Sequence, residues 1–216
     1  MTNIEDIVSE LARLPRTTFG ISVPALRQTA RRIARDDYRI LLDNSRLETF
    51  ELRLLNALML GYARDDLPHL LDCFARFVPY VDDWAVCDAL CQGFTAARCY
   101  PEPVWDFVMQ YRNSRQEFAV RIVAVVLLSH YLNDEYIDRV MAVLDSLYTE
   151  KYYAQMGVAW ALATLCAKYP EKCLQYLRGP NNLDATTFRM TIRKINESFR
   201  VAPEVKRQAL LLRGLK

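Results

Sequence analysis

Apolar positions recur at the i, i+3, i+4 spacing of an amphipathic helix through almost the whole chain. Prolines stand at several of the predicted helix starts, the intervening segments are short, and no alternating strand pattern is evident. We therefore predict an all-α fold. The pattern predicts helices over residues 3–14, 23–35, 36–43, 47–63, 67–78, 83–98, 103–112, 115–131, 133–147, 150–168, 170–178, 184–198 and 203–213.

The predicted helices alternate between strongly apolar members and shorter, more amphipathic ones. Each of three successive apolar helices contains one conspicuous residue, namely Asp88, Arg121 and Trp160. These residues are separated by 33 and then 39 positions. Intervals of this size are typical of HEAT-like helical pairs. We expect residues 1–216 to form a single HEAT-like domain, stacked into a curved α-solenoid whose apolar helices line a concave surface. An irregular helical bundle is the alternative.

Composition narrows the function classes, and the charge is unevenly distributed. Only six glycines occur in 216 residues, which argues against glycine-rich nucleotide-binding loops and β-sandwiches. Residues 1–80 contain 11 basic residues (Lys or Arg) and 11 acidic ones (Asp or Glu). The corresponding numbers are 5 and 10 in residues 81–148, and 12 and 5 in residues 149–216. The basic last third suggests a surface for a polyanion, although a solvated basic face is the commoner reason for a charge cluster.

Cysteine and histidine usage argues against a metal centre. The six cysteines and the two histidines, His69 and His130, have no zinc-ligand spacing, so we expect no metal and no cofactor. The first residues lack the basic start and apolar core of a signal peptide. The charge-free run 152–167 is too short for a membrane span. We expect a soluble protein of the cytoplasm, in the bacterial cytosol or nucleoid, without a membrane partner.

The best single pointer to function is Asp88, the only charged residue between Trp84 and Ala97. Trp84 lies four residues earlier, so the carboxylate and the indole share one helix face. A carboxylate in an apolar helix is costly to bury unless a cation meets it. That cation is either another residue of the protein or a substrate.

The next two apolar helices contain further residues that core packing does not require. Arg121 is the only charged residue between Glu117 and Asp134, and Trp160 follows Tyr152 and Tyr153 by two turns. Side by side in a solenoid, these residues would join Asp88 and Trp84 in one concave patch. Arginine with aromatic faces is a recurrent way to hold a phosphate and a sugar or base. The alternative is a buried Asp88–Arg121 ion pair among ordinary core tryptophans.

These residues resemble a known family, the HEAT-like-repeat DNA alkylation-repair glycosylases (AlkD-like). The resemblance lies in the ordered set of Trp84 four residues before Asp88, Arg121 in an apolar helix 33 residues later, and Trp160 at the end of YYAQMGVAW. The segment GISVPALRQTARRI, residues 20–33, is similar to an early stretch of that family. The likeness covers about residues 15–200, and the ordered spacing is more specific than any single motif.

The resemblance implies an enzyme that hydrolyses the N-glycosidic bond of cationic N3- or N7-alkylated purines in double-stranded DNA. It implies that Asp88 stabilises the sugar cation and positions the attacking water. Trp84 and Trp160 would pack against the deoxyribose, and Arg121 would hold the adjacent backbone. No metal or cofactor takes part. A carboxylate is well suited to this role, because positive charge develops on the sugar in the transition state.

Contacts to the DNA backbone would come from exposed basic and aromatic residues, and the protein would act as a monomer. The segment before residue 20 is shorter than the N-terminal helical region of active relatives, and Ala163 stands where those relatives usually have a basic residue.

Two other functions remain open: a DNA-binding protein without catalysis that recognises branched or distorted DNA, and a HEAT-type protein-interaction scaffold. The predicted DNA-binding residues are Arg27, Arg31, Arg32, Lys151, Tyr152, Tyr153, Arg189, Arg193 and Lys194.

Overall fold

The computed structural model describes residues 3–18, 20–147 and 149–216, and it confirms the all-α fold. A single-turn 3₁₀ helix follows α5 at Val78–Tyr80, and two short strands, β1 (Arg16–Thr17) and β2 (Gly20–Ile21), precede α2. The helices are α1 (Ile4–Arg13), α2 (Val23–Asp37), α3 (Ile40–Asp43), α4 (Phe50–Tyr62), α5 (Leu67–Phe77), α6 (Trp84–Gly93), α7 (Ala96–Cys99), α8 (Pro101–Met109), α9 (Glu117–His130), α10 (Ile137–Ser146), α11 (Tyr152–Lys168), α12 (Pro170–Arg178), α13 (Ala185–Glu197) and α14 (Pro203–Leu211).

One predicted helix, 83–98, is divided in the structure. α6 ends at Gly93, and the backbone of Phe94 leaves helical geometry with φ −73° and ψ 71°. This break turns the Phe94 ring into the core, where it meets Phe74 edge to face with ring centroids 4.9 Å apart. The helix therefore ends because burying an aromatic ring is worth more than continuing an apolar helical run.

The strands were not predicted from the sequence. Pro15 follows α1, and the chain then forms an antiparallel pair in which Arg16 lies opposite Ile21. Gly20 has φ 109°, a conformation that L side chains rarely adopt. A two-residue strand is too short to produce an alternating pattern, which explains why the sequence did not reveal it.

The chain folds into two compact units, Met1–Phe107 and Val108–Lys216, here called the N-terminal and C-terminal units. In the N-terminal unit α4 packs against both α2 and α6. In the C-terminal unit α11 packs against both α9 and α13, while α14 contacts α12 and α13. Each unit is thus built on three stacked helices, and the central one, α4 or α11, is apolar on nearly all sides. A single domain over residues 1–216 stays a prediction.

Hydrogen bonds between residues 31–36 apart join successive helical pairs within each unit. The Tyr169 hydroxyl donates to Asp134 at 2.7 Å, and the Tyr176 hydroxyl donates to Asp145 at 2.7 Å. In the N-terminal unit, Arg76 bonds Asp43 at 2.7 Å, across 33 residues. These intervals match the repeat length expected for two-helix repeats.

A close helix contact sets the position of α6 in the N-terminal unit. A side-chain carbon added at Gly61 of α4 would lie only 3.0 Å from the Cα of Gly93 at the end of α6. Because both positions are glycine, the two backbones approach without a side chain between them. This contact fixes the helix that carries Asp88.

Replacing Gly61 by alanine is expected to destabilise the protein by about 1–3 kcal/mol, because the new methyl group overpacks a backbone contact. Urea unfolding monitored by circular dichroism measures this change. Gly214→Ala is the matched control, since a side-chain carbon at Gly214 meets nothing within 4 Å. Equal unfolding midpoints for the two variants would show that the α4–α6 contact is not constrained as described.

Candidate functional site

In the N-terminal unit, Asp88 and Trp84 lie one turn apart on α6. Asp88 is 9% exposed, and the nearby Cys87 and Leu90 are buried. Trp84, the first residue of the helix, is 51% exposed. A mostly buried carboxylate therefore lies next to an accessible indole. This arrangement matches the sequence prediction, since residues four apart share a helix face.

Two contacts hold the start of α6. Asp83 caps the helix by accepting a hydrogen bond from the Ala85 amide at 2.7 Å. Arg53 of α4 forms an ion pair with Asp82 at 3.0 Å and also donates to the Leu47 carbonyl at 3.0 Å. The loop before Trp84 is thus tied to the neighbouring helix, which orients the exposed indole and the carboxylate behind it.

In the C-terminal unit, Arg121 is a buried residue of α9. Its side chain is 4% exposed, and its Nη1 donates to the Tyr153 carbonyl of α11 at 2.9 Å. Its stem runs against Gly157, where an added side-chain carbon would come within 3.2 Å of the Arg121 Cγ. Arg121 therefore joins α9 to α11, and a side chain at position 157 would press against its stem.

Glu117 is a site residue that the sequence analysis missed. Its carboxylate, one turn before Arg121 on α9, accepts a hydrogen bond from the Tyr153 amide at 2.6 Å. That amide is in the first turn of α11, where backbone donors have no helical partner and negative charge is favourable. Glu117 and Arg121 thus hold the amide and the carbonyl of the same residue, Tyr153.

The start of α11 presents a cluster of aromatic side chains. The Tyr153 ring stacks on Phe118 with centroids 5.4 Å apart, and Tyr152 meets Tyr153 edge to face at 5.2 Å. Tyr152 is 55% exposed and Trp160 is half-buried. By helical periodicity, positions 153, 157 and 160 follow one face of α11. Accessible aromatic surface therefore extends along the side of α11 that Arg121 contacts.

A second buried polar contact joins α11 to α13. The Gln155 side chain, buried in α11, donates to the Asp184 carboxylate at 3.3 Å. Asp184 caps α13 by accepting from the amides of Thr186 at 2.8 Å and Thr187 at 3.0 Å. Burial alone raises the pKa of Asp184, but the hydrogen bonds from the Thr187 hydroxyl, the two amides and Gln155 together outweigh it, so the pKa lies below its usual value.

One buried polar residue recurs in successive apolar helices. Asn56, Asp88, Arg121, Gln155 and Thr187 are separated by 32, 33, 34 and 32 residues, and all are buried. This interval is more regular than the one marked by Trp160, and it is the signal from which Gln155 could have been found. Thr29 and Thr191 are buried as well, so the recurrence marks an equivalent position in successive repeats and not a single polar residue per helix.

The predicted DNA-binding residues of α2 are all exposed. Arg31 lies over the Tyr62 ring, with its guanidinium carbon 5.0 Å from the centroid, and Arg32 pairs with Glu10. Arg27 lies one turn before Arg31 on the same helix. The structure therefore leaves Arg27 and Arg31 open to an anion, while the charge of Arg32 is partly neutralised.

The basic residues predicted in the C-terminal unit divide into two groups. Lys151 is exposed and immediately precedes α11, next to the tyrosine cluster. Arg189, Arg193 and Lys194 lie on α13, where Glu197 bonds Arg193 at 2.8 Å and Lys194 at 2.9 Å. The hydrogen bonds from Lys194 and then Arg193 lower the pKa of Glu197.

Two further findings concern metals and membranes. Among the described residues, the exposed side chains of Asp65, Asp66 and His69 offer three ligand atoms within 4.8 Å of one another, which is a geometry that could hold an ion. Asp66 also caps α5 by accepting a hydrogen bond from the His69 amide at 3.0 Å.

No helix in the described part of the chain has the length and apolar character to cross a bilayer.

Removing the Asp184 carboxylate tests the α11–α13 connection. Because the pKa of Asp184 is lowered in the folded protein, its carboxylate stabilises the fold at pH values above the unfolded-state pKa, near 4. This stabilisation is lost as the pH falls through the folded-state pKa. We expect Asp184→Ala to destabilise the protein by about 1 kcal/mol at pH 7 and by less below about pH 4. Urea unfolding across this pH range measures the difference.

The control is Asp106→Ala, which removes an exposed carboxylate of α8. It is expected to change stability by less than about 0.5 kcal/mol at either pH. A destabilisation by Asp184→Ala that does not vary with pH would show that the carboxylate charge is not the cause.

Comparison with known proteins gives one match. A family model described as DNA alkylation repair enzyme matches residues 8–195. No curated protein and no solved structure matches the chain significantly. The matched region contains Trp84, Asp88, Arg121 and Trp160; that the four form one patch stays a prediction. Since the match spans most of the sequence, this chain belongs to the DNA alkylation repair enzyme family.

Proposed function

We propose that this protein is a DNA glycosylase that releases N3- and N7-alkylated purines from double-stranded DNA. Its family supports a role in DNA alkylation repair. The observation that carries the finer proposal is the Asp88 carboxylate, 9% exposed and one turn behind an accessible tryptophan. A fixed carboxylate of this kind suits a reaction in which positive charge develops beside it.

The reaction is a hydrolysis whose substrate is already activated. An N3- or N7-alkylated purine carries a positive charge, so it leaves as a neutral base when the C1′–N bond breaks and the bonding electrons pass to the purine. The sugar becomes an oxocarbenium cation, and a water oxygen then bonds to C1′ and loses a proton. No strong general acid is needed.

Asp88 acts on the sugar in this proposal. Its charge stabilises the oxocarbenium cation, and its oxygens orient the attacking water and accept the proton. Burial strengthens this effect, because the carboxylate interacts with the cation through a medium of lower dielectric constant than water. Trp84 supports the same step, since the face of an indole attracts positive charge.

Arg121 is assigned a positioning role together with the predicted contact to the DNA backbone. Its guanidinium bonds the Tyr153 carbonyl and its stem fills the space at Gly157, so it orients the α11 face that carries Tyr153 and Trp160. Aromatic side chains on this face would pack against the deoxyribose. The phosphate contact of Arg121 is the one that the resemblance to the family implies.

The backbone contacts are best supported at exposed residues near the aromatic cluster and on α2. Lys151 precedes the two tyrosines of α11, and Arg27 and Arg31 lie one turn apart on α2. Such residues attract phosphates without reading sequence. Arg32, Arg193 and Lys194 are weaker candidates, because each already pairs with a glutamate.

Asp88→Asn is expected to reduce base release at least roughly 100-fold, because the amide keeps the shape of the side chain but removes its charge. Single-turnover release of 7-methylguanine or 3-methyladenine from methylated duplex measures the rate. Affinity for the same duplex should be retained. Asp106→Asn, an exposed carboxylate of α8, is the matched control and should release base at the wild-type rate.

The outcomes separate the three possible functions. Release by Asp88→Asn at the wild-type rate would contradict the role of Asp88. A wild-type protein that binds duplex but releases no base would be a DNA-binding protein without catalysis. Absence of salt-dependent duplex binding would indicate a protein-interaction scaffold.

Lys151→Ala is expected to weaken duplex binding equally for all sequences and to reduce the slope of log affinity against log salt by about 1. Titration at several salt concentrations measures this slope. Lys172→Ala is the control, because Lys172 pairs with Asp138 between α10 and α12. An unchanged slope for Lys151→Ala would exclude a phosphate contact by this residue.

A further inference from the structure

A groove of about 500 Å³ runs along α13 in the C-terminal unit and is bounded by α14 and the turn after it. The groove extends from Thr186 to Glu197, roughly 17 Å or three helical turns. Met190, Ile192 and Leu210 provide apolar surface, and Arg189, Arg193 and Arg213 provide positive charge.

The apolar part of the groove continues onto exposed surface. Leu210 is 47% exposed at the groove, and Leu211 beside it is 83% exposed at the end of α14. Large apolar side chains grouped on a surface and bordered by charge are typical of interaction sites. Water alone is a poor occupant of such a groove, since it leaves the leucine and methionine surface unburied.

The charge around the groove indicates which sign of charge its occupant carries. Residues 185–216 contain eight Lys or Arg side chains against two glutamates, Glu197 and Glu204. Glu197 bonds Arg193 and Lys194, and Glu204 pairs with Arg207. A net charge of +6 remains over these residues. An acidic occupant would therefore be attracted to the groove.

The stacking in this unit specifies the shape of the occupant. α9 packs against α11, and α11 packs against the amphipathic helix α13. The buried residues of α13, such as Phe188 and Ile195, lie on the face opposite the stripe of Thr186, Arg189 and Arg193. The groove thus occupies the side of α13 on which one more helix would continue the stack.

We propose that the groove binds an acidic amphipathic helix of a partner protein. Apolar side chains at i, i+3, i+4 and i+7 would cover Met190 and Leu210, and flanking glutamates would pair with Arg189 and Arg213. The proposal does not involve the residues assigned to the glycosylase reaction on α6 and α11, although Arg189 is also a predicted contact to the DNA backbone.

A DNA strand is the competing occupant, since Arg189 and Arg193 were predicted to contact phosphates. Phosphate binding requires only the cations and makes no use of Leu210 or Met190. A peptide helix uses both the cations and the apolar surface. The leucine therefore distinguishes the two occupants.

The test is fluorescence anisotropy with a labelled helical peptide of about 15 residues that carries leucines on one face and glutamates beside them. A peptide of the same composition with scrambled leucines is the control ligand. We expect the patterned peptide to bind roughly tenfold more tightly than the scrambled one. Leu210→Asn and Arg189→Ser should each weaken its binding several-fold.

Matched control variants lie outside the groove. Val23→Asn, at the exposed start of α2, and Arg207→Ser on α14 should leave peptide affinity within about twofold, as for surface substitutions outside an interface. Equal binding of the two peptides would overturn the proposal, because only total charge would matter. The proposal is also wrong if Leu210→Asn leaves peptide affinity unchanged while Arg189→Ser weakens duplex binding. Base release by wild type is measured separately, so failure of the groove proposal and failure of the glycosylase proposal are distinguishable.

Discussion

Stacking of apolar helices against two neighbours is the constraint on which each unit depends. α4 packs between α2 and α6, and α11 packs between α9 and α13. A helix buried on two opposite sides must be apolar nearly all round, which is why these segments have little amphipathic character in the sequence. Only a few polar side chains remain within them, and burying one is costly unless it is hydrogen-bonded. Gln155 of α11 bonds Asp184, whereas the buried amide of Asn56 in α4 forms no hydrogen bond with the described residues.

The buried polar residues show how this requirement is met in the C-terminal unit. Arg121 and Glu117 of α9 bond the carbonyl and amide of Tyr153, and Gln155 bonds Asp184 at the start of α13. The same residues that satisfy buried polar groups also set the rotation and height of α11. The aromatic face proposed to meet the deoxyribose is therefore positioned by the polar contacts of the stack.

The basic residues of the chain do not form one class. Lys151 borders the tyrosine cluster, whereas Arg189, Arg193 and Arg213 surround an apolar groove along α13. A phosphate needs cations, and an amphipathic helix needs cations beside apolar surface. Positive charge in the last third of the sequence thus lies beside two kinds of surface, an aromatic cluster and an apolar groove, which composition alone does not separate.

Two glutamates reduce the positive charge of particular basic residues on α13 and α14. Glu197 and Glu204 neutralise nearby cations on α13 and α14, so the arginines at the groove differ in how much charge they offer. The charge count along the sequence treats them alike.

The sequence by itself determined the all-α fold, the approximate bounds of nearly every helix, the family and the place of Asp88 in an apolar helix one turn after Trp84. These features depend on periodicity and on neighbours within one or two turns. The tertiary structure decided the end of α6 at Gly93, the role of Glu117, the bond from Arg121 to Tyr153 and the groove along α13. Those features depend on contacts between residues distant in the sequence, and such contacts are set only when the helices stack.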